Sequence, residues 1–521
     1  MRRALDLLQR LPETRWPQAW LVLLCLALWL PGLRTIPAFD GGETQLALAA
    51  RATLEAGGLV PAGVPHGLAW AQAGAVLAVE SLGLHPQARA RIWAYRIPSV
   101  LGGLLAVLAV VGLGRALVGR RAAVLAAAML AGTAGLVVAA HLARGEAPLL
   151  GALAVAMGLM GRAYVNPAGV TARQAAGFWL ALGAALLLGG PAGLAAPLLA
   201  GITLLAADRA MANGAPWLRA LRPGWGVAAM ALPAVLARVL GTGGAPPAPD
   251  EAAMPGMLLS ALAAFPAGFL LLRALPGLWA DRLQPPTRFL LAWAVPAGLL
   301  AGPVAALPAL VLLAAAWAMD PLRRAPPRWL QRLSAALLVA AAGAIGLGVA
   351  LLPFLADGTI SPLAFTALPL AGLVALAGLR AASPARAGLA MALLGVPLAW
   401  VVMQGVVPRL TAPWLAPRLA ALVQEARPGL DGDRFGVAGY QAPSLVFAIG
   451  PGTSLLGSGA AAAAFLGGAA GRIVAVADHE EAAFRAEAAA RGLAVREFGV
   501  VTGFNFARDR RVAVGVFGVD G

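Results

Sequence analysis

There is no lysine anywhere in the 521 residues, so all 39 basic side chains are arginines. There is one cysteine, Cys25, which excludes a disulfide framework or a thiolate metal cluster within the chain. Four histidines leave little for a multi-histidine metal centre. Acidic residues number only 23, and the charged fraction is 12%. A soluble domain carries about 25% charged and about 45–50% apolar residues. Here the apolar fraction is 60%, which excludes an ordinary soluble protein and predicts a polytopic α-helical membrane protein. Phosphate-binding P-loops, dinucleotide fingerprints, HExxH and a GxSxG in strand–turn–helix context are all missing. The net charge of +16 would suggest nucleic acid in a soluble chain. Here the arginines cluster between apolar runs, as in loops facing anionic lipid, so no nucleic-acid partner is expected. Lysine-free, Ala/Gly/Pro/Arg-rich usage fits a GC-rich bacterial genome.

A spanning helix needs roughly 20 mostly apolar residues. Such runs, some of them short, occur at 16–33, 99–118, 122–141, 147–164, 175–188, 194–207, 227–240, 257–272, 289–300, 304–319, 335–355, 362–379 and 388–407. They predict about 13 spans. Residues 1–15 are basic, but no small-residue cleavage site follows, so the first run is expected to be a retained anchor after a cytoplasmic N-terminus. "LGGPAG" and "AGPVAA" each separate two runs and predict tight hairpins or re-entrant turns. With the N-terminus in the cytoplasm, the inner loops are 115–121, 162–173, 207–223, 272–288, 319–332 and 379–386, and each carries at least two arginines. The opposite loops "GTGGAPPAPDEAAMP" and "LADGTISP" carry acids and no arginine. This alternation is the positive-inside pattern, and it places the C-terminal part outside, in the periplasm of a bacterial inner-membrane protein.

Two segments depart from the spanning pattern. The outer loop 34–95 contains "ETQLALAARATLEAG", a helical pattern closed by Gly57, and "AWAQAGAVLAVESLG", a second helix too short to span comfortably. After the transmembrane part (16–407), residues 408–521 change character. "RFGVAGY", "RIVAVAD", "LAVREFG" and "RRVAVGVFGV" read as strands, and "HEEAAFRAEAAARG" reads as an amphipathic helix. Together they predict a small α/β domain of roughly 100 residues.

The candidate functional residues lie on the outer side. Asp40 and Glu43 flank a glycine pair. A carboxylate there can take a proton from an acceptor hydroxyl or amine. The same D-x-x-E also reads as a capping box. His141, Arg144 and Glu146 sit between two spans, where ionisable groups are costly unless they face a cavity. An exposed turn with a weak Arg144–Glu146 ion pair also fits. Arg96, just before Pro98, is placed either to hold a phosphate or to snorkel to the headgroups.

These stretches together resemble membrane glycosyltransferases of the GT-C fold, of the bacterial family 39 and aminoarabinose-transferase type, relatives of protein O-mannosyltransferases. The similarity runs through "FDGGETQLALAARATLEAGGLVPAGVP", "YRIPSVLGG", the G-R-R at 119–121 and "AHLARGEAPLL". It extends over most of the chain and is most specific at 34–165. The resemblance implies transfer of a sugar, with inversion, from a polyprenyl-phosphate donor at the outer leaflet to a periplasmic lipid, glycan or protein. It implies Glu43 and Asp40 at the first acidic position and Glu146 at the second. Arg144, His141, Arg96 and His66 are the implied substrate-binding residues. Gly42 stands where the family has aspartate, Ala69-Trp70-Ala71 replaces a Lys-Pro-Pro run, and Gly189-Gly190-Pro191 replaces Lys-Gly-Pro. The alternative is therefore a GT-C-fold chain that has lost catalysis and serves as a lipid- or glycan-binding partner. No cofactor is assigned. A divalent ion between Asp40, Glu43 and Glu146 is chemically possible, because carboxylates suit hard cations. A transporter ranks last, since there is no clear internal repeat and the spans hold few ionisable groups.

The orientation is testable in a Cys25→Ala background. Thr359→Cys should react with a membrane-impermeant maleimide from the outside of intact cells, and Ala381→Cys only after permeabilisation. The reverse pattern would invert the topology.

Overall fold

A computed structural model of the chain describes residues 16–61, 63–211, 214–240, 263–300, 303–322, 324–505 and 510–519. The first helix is α1 (Pro17–Trp29), which opens with proline at its first turn. The loop 34–95 folds as α2 (Gly42–Glu55) and α3 (His66–Ser81). Then come α4 (Ile92–Val118), α5 (Arg120–Ala131), α6 (Ala134–Ala140) and α7 (Glu146–Val165). After these lie α8 (Ala172–Gly189), α9 (Ala195–Ala210), α10 (Pro216–Ala220) and α11 (Pro223–Leu240). The remaining apolar helices are α12 (Gly268–Ala280), α13 (Pro285–Leu300), α14 (Pro303–Met319), α15 (Arg328–Asp357), α16 (Pro362–Phe365), α17 (Ala367–Arg380) and α18 (Pro384–Trp400).

Among the described residues six helical runs are long and apolar enough to cross a membrane, and the α5–α6 pair, bent by 60°, makes a seventh. Helices α1, α12 and α14 are shorter but apolar. One of the six, Ala172–Ala210, holds two of the runs expected from the sequence. Gly190, at φ +61°, closes α8, and a Cβ on Gly193 would meet the Ala185 carbonyl, so the helix is interrupted there. The eighth run was placed at 257–272 with a loop after it, but α12 continues to Ala280. Residues 257–262 lie outside the described ones. Arg273 does not end the helix, because its guanidinium lies 5.0 Å over the Phe269 ring one turn back.

Between α4 and α7 the bundle packs through glycine. A Cβ on Gly151 would meet the Gly102 carbonyl, and one on Gly102 would meet the backbone of Pro148. Small residues let membrane helices approach this closely, where dispersion and polar contacts replace a hydrophobic driving force. Trp29, Phe289 and Trp293 fill the buried core around them.

The C-terminal part opens with α19 (Leu415–Ala426) and contains β1 (Phe435–Ala438), α20 (Pro443–Ile449), β2 (Ser454–Leu456), α21 (Gly459–Gly467), β3 (Ile473–Ala477), α22 (Asp478–Ala490), β4 (Val495–Asn505) and β5 (Arg510–Val519). The sheet order is β2-β1-β3-β5-β4. β1 pairs in parallel with β2 and β3, and β5 runs antiparallel to both its neighbours. Side chains alternate along β3. Ile473, Ala475 and Ala477 face α19 and α20, while Val474 and Val476 face α21 and α22. The strands read from the sequence are present. β2 and α20, three and seven residues long, are too short to show a period.

Introducing a bulky side chain at the closest helix contact should break the bundle. Gly151→Leu is expected to shift detergent-solubilised protein to aggregate in size-exclusion chromatography, while Gly112→Leu, with open space around it, stays monodisperse.

Candidate functional site

The site grows from one buried ion pair. Glu43 and Arg96 are both 0% exposed. Arg96 Nε donates to Glu43 Oε1 at 2.8 Å and Nη2 donates to Oε2 at 3.1 Å. The rest of the guanidinium donates to the carbonyls of Leu33 (3.2 Å), Ile36 (2.8 Å) and Pro37 (2.9 Å). An arginine has five side-chain N–H groups, and all are used. Glu43 also accepts from the backbone N–H of Ala143 at 2.8 Å and of Phe39 at 2.9 Å. Its acceptor sites are filled as well. Arg96 therefore neither faces a phosphate nor snorkels, because α4 carries it into the protein interior on its second turn. Glu43 has no oxygen turned toward a substrate.

The turn 141–145 is held on every side. His141 places Nδ1 2.7 Å from the Val137 carbonyl and Nε2 2.8 Å from that of Pro31. Ser99 Oγ reaches the Leu142 carbonyl at 2.6 Å and that of Arg144 at 3.2 Å. Gln72 Nε2 donates to the Ala143 carbonyl at 2.9 Å. With its backbone fixed, the turn presents two side chains outward. Arg144 and Glu146 are 37% and 48% exposed, and their closest N···O distance is 3.8 Å. This is a loose rim pair, worth little as a stabilising contact.

Asp40 goes elsewhere. The N-cap of α2 is Gly41 at φ +82°, and no side chain caps it, so the capping-box reading of Asp40 is corrected. Gly41 turns the chain so that Asp40 accepts from Tyr440 Oη at 3.0 Å and from the Ser444 N–H at 3.1 Å. Asp40 thus joins the outer loop to the start of α20. Burial, then the Asp40 charge, hold the Tyr440 hydroxyl far above its ordinary pKa, so it remains a donor. Glu43 does reach back, but to Phe39.

Gly42 is the position beneath Arg144. A Cβ there would stand 3.1 Å from Arg144 Nη2. Gly145 touches Leu68 and the Leu188 carbonyl, and Gly67 touches Leu187, so His66 at the head of α3 belongs to the same neighbourhood. Its ring meets Trp70 edge-on at 5.9 Å, and partial burial lowers its pKa. The structure gathers Gly42, Arg144, Glu146 and the His66 end of α3. Glu43, Arg96 and His141 form the support beneath.

Among the described residues no group of three or more His, Cys, Asp or Glu comes together as a metal site. Asp40, Glu43 and Glu146 do not converge, because the first two spend their oxygens on other partners. A cavity of about 490 Å³ lies between the end of α15 and the sheet, lined by Asp357, Arg418, Asp478 and Arg511 among others. It contains none of the residues singled out from the sequence.

The chain superposes in fold on ArnT from Cupriavidus metallidurans bound to undecaprenyl phosphate, with a TM-score of 0.68 and 18% identity, over 96% of this chain and 98% of ArnT. The chain has the GT-C fold. ArnT in the apo state gives a TM-score of 0.63 at 17% identity, over 95% and 98%. No family profile and no curated protein matches the sequence. The sequence missed Ser99, Gln72, Tyr440 and Ser444 as partners. Ser99 lies in the quoted "YRIPS" stretch, but nothing in the sequence marks Gln72.

Removing one partner of a buried pair costs about 3–5 kcal/mol, because the other charge is stranded. Glu43→Gln should therefore lower the melting temperature in detergent sharply, and Glu43→Met with Arg96→Met should recover part of the loss. A wild-type melting temperature in Glu43→Gln would contradict this account.

Proposed function

We propose that this chain is a membrane glycosyltransferase that moves a sugar from a polyprenyl-phosphate donor to an acceptor at the outer face of a bacterial inner membrane. Fold likeness to ArnT along the whole chain supports it, and so does the undecaprenyl phosphate bound by that protein. One observation carries the assignment of roles. Of the three carboxylates read from the sequence, only Glu146 is without a structural partner that occupies it, and it stands on a fixed turn beside Arg144.

In this reading Glu146 takes the proton from the acceptor hydroxyl or amine. The freed lone pair attacks the anomeric carbon as the bond from that carbon to the phosphate oxygen breaks, with inversion. The electron pair leaves with the polyprenyl phosphate. Arg144 stands where its guanidinium can hold that phosphate and stabilise its growing charge. Asp40 keeps the C-terminal domain over the site. Acceptor classes remain lipid, glycan or protein.

Gly42 favours a second reading. The guanidinium of Arg144 lies over a residue with no side chain, at the position where the resembling family has aspartate. A chain that lost this carboxylate can still bind a polyprenyl phosphate without turning it over, as a partner of another enzyme.

Purified protein supplied with polyprenyl-phosphate sugars and envelope acceptors separates the two. Under the first reading Glu146→Gln lowers turnover by about 10²–10⁴-fold, the usual yield of a general base, with lipid binding retained. Gly42→Asp then also lowers turnover, because it draws Arg144 from the phosphate. Under the second reading wild type binds the lipid with no turnover, and Gly42→Asp is the variant that gains activity. Full activity of Glu146→Gln would remove Glu146 from the mechanism.

A further inference from the structure

A second cationic cavity lies at the other end of the bundle. Helix α15 spans 30 residues, about 45 Å at 1.5 Å per residue. Its Asp357 end meets the C-terminal domain, where Asp357 accepts from the N–H groups of Thr411 and Ala412. Beside its Arg328 end is a cavity of about 220 Å³, bounded by α12, α14 and the α17–α18 connection. Arg273, Trp317, Pro326, Ser383 and Pro384 are among its lining residues. The loops around it, 319–332 and 379–386, are two of the arginine-rich segments.

Arg273 is the basic residue of this lining. It is half-buried, its Nε is buried with no hydrogen-bond partner, and no acidic side chain pairs with it among the described residues. The Phe269 ring on one face of the guanidinium does not satisfy its N–H groups. Charges taken out of water are normally paired and hydrogen-bonded. The first turn of α18 opens at the same cavity, with Ser383 as its N-cap. Helix N-termini favour anions. Leu275 and Trp279 on α12, and Leu376 and Leu379 on α17, are exposed apolar residues of the two helices that border the cavity.

We propose that this cavity binds the phosphodiester headgroup of an anionic glycerophospholipid, with Arg273 as its counter-charge and the acyl chains along α12 and α17. Basic pockets between membrane helices on the arginine-rich side recognise such headgroups. This site is independent of the sugar-transfer reading and stands if that reading fails.

The test uses the full chain in nanodiscs. Phosphatidylcholine discs with and without phosphatidylglycerol are compared by native mass spectrometry and thermal unfolding. Wild type is expected to retain phosphatidylglycerol selectively and to melt several degrees higher in its presence. Arg273→Gln should bind it about tenfold more weakly, as expected for one lost charge-assisted contact, and Arg273→Lys should keep part of the binding. Wild type alone suffices to reject the idea, because equal retention of both lipids would overturn it, whatever the variants do. Equal phosphatidylglycerol binding by folded Arg273→Gln would overturn it too. If inorganic phosphate in phosphatidylcholine discs reproduces the stabilisation, the cavity is a soluble-anion site and the lipid assignment fails.

Discussion

The end of this protein that carries α2 and α3 depends on one ion pair that water does not reach. Taking a carboxylate and a guanidinium out of water is costly, and their attraction offsets that cost only when every donor and acceptor is used. Glu43 and Arg96 meet this condition through three loop carbonyls and two backbone N–H groups. Any other course for residues 33–43, or for the turn at 143, would strand a charge in the interior. The pair therefore acts chiefly by selecting one arrangement. It ties α2 to α4, and both to the turn before α7.

This constraint divides the acids of the site. Glu43 lies closest in sequence to the expected catalytic position, yet it is the residue least able to move a proton to a ligand. Asp40 escapes the pair because Gly41 takes a positive φ and turns it outward, and it then serves the C-terminal domain through Tyr440 and Ser444. Glu146 follows the fixed turn and is left with only a loose contact to Arg144. Three carboxylates that looked equivalent in the sequence thus stand in three different settings.

The class of protein was legible because it rests on composition and period. Apolar runs, arginine clusters and the alternating strands of the C-terminal part each report a repeated physical requirement. The end of α12 was misplaced because an arginine was read as a loop signal, whereas Phe269 accommodates it within the helix. The partners of the site were mostly hidden. Glu43 and Arg96 are 53 residues apart, and Asp40 and Ser444 are 404 apart, and no local pattern encodes such pairs. Gln72 lies in an apolar helix pattern where a lone amide reads as incidental, yet it fixes the Ala143 carbonyl. The quoted motifs found the right neighbourhood. Which acid in it was free required the geometry.

The two arginines of the site show why exposure decides the matter. Arg96 is saturated, and a ligand phosphate would have to displace the carbonyls it holds. Arg144 has one loose carboxylate contact, a rigid backbone and a glycine beneath it. Water can solvate it in the resting state at little cost, so displacing that water by a phosphate leaves no buried group unpaired. The absence of a side chain at Gly42 has the same effect, because it removes a fixed counter-charge that a ligand anion would otherwise have to compete with. The buried pair supplies the rigidity, and the exposed arginine retains the capacity to bind.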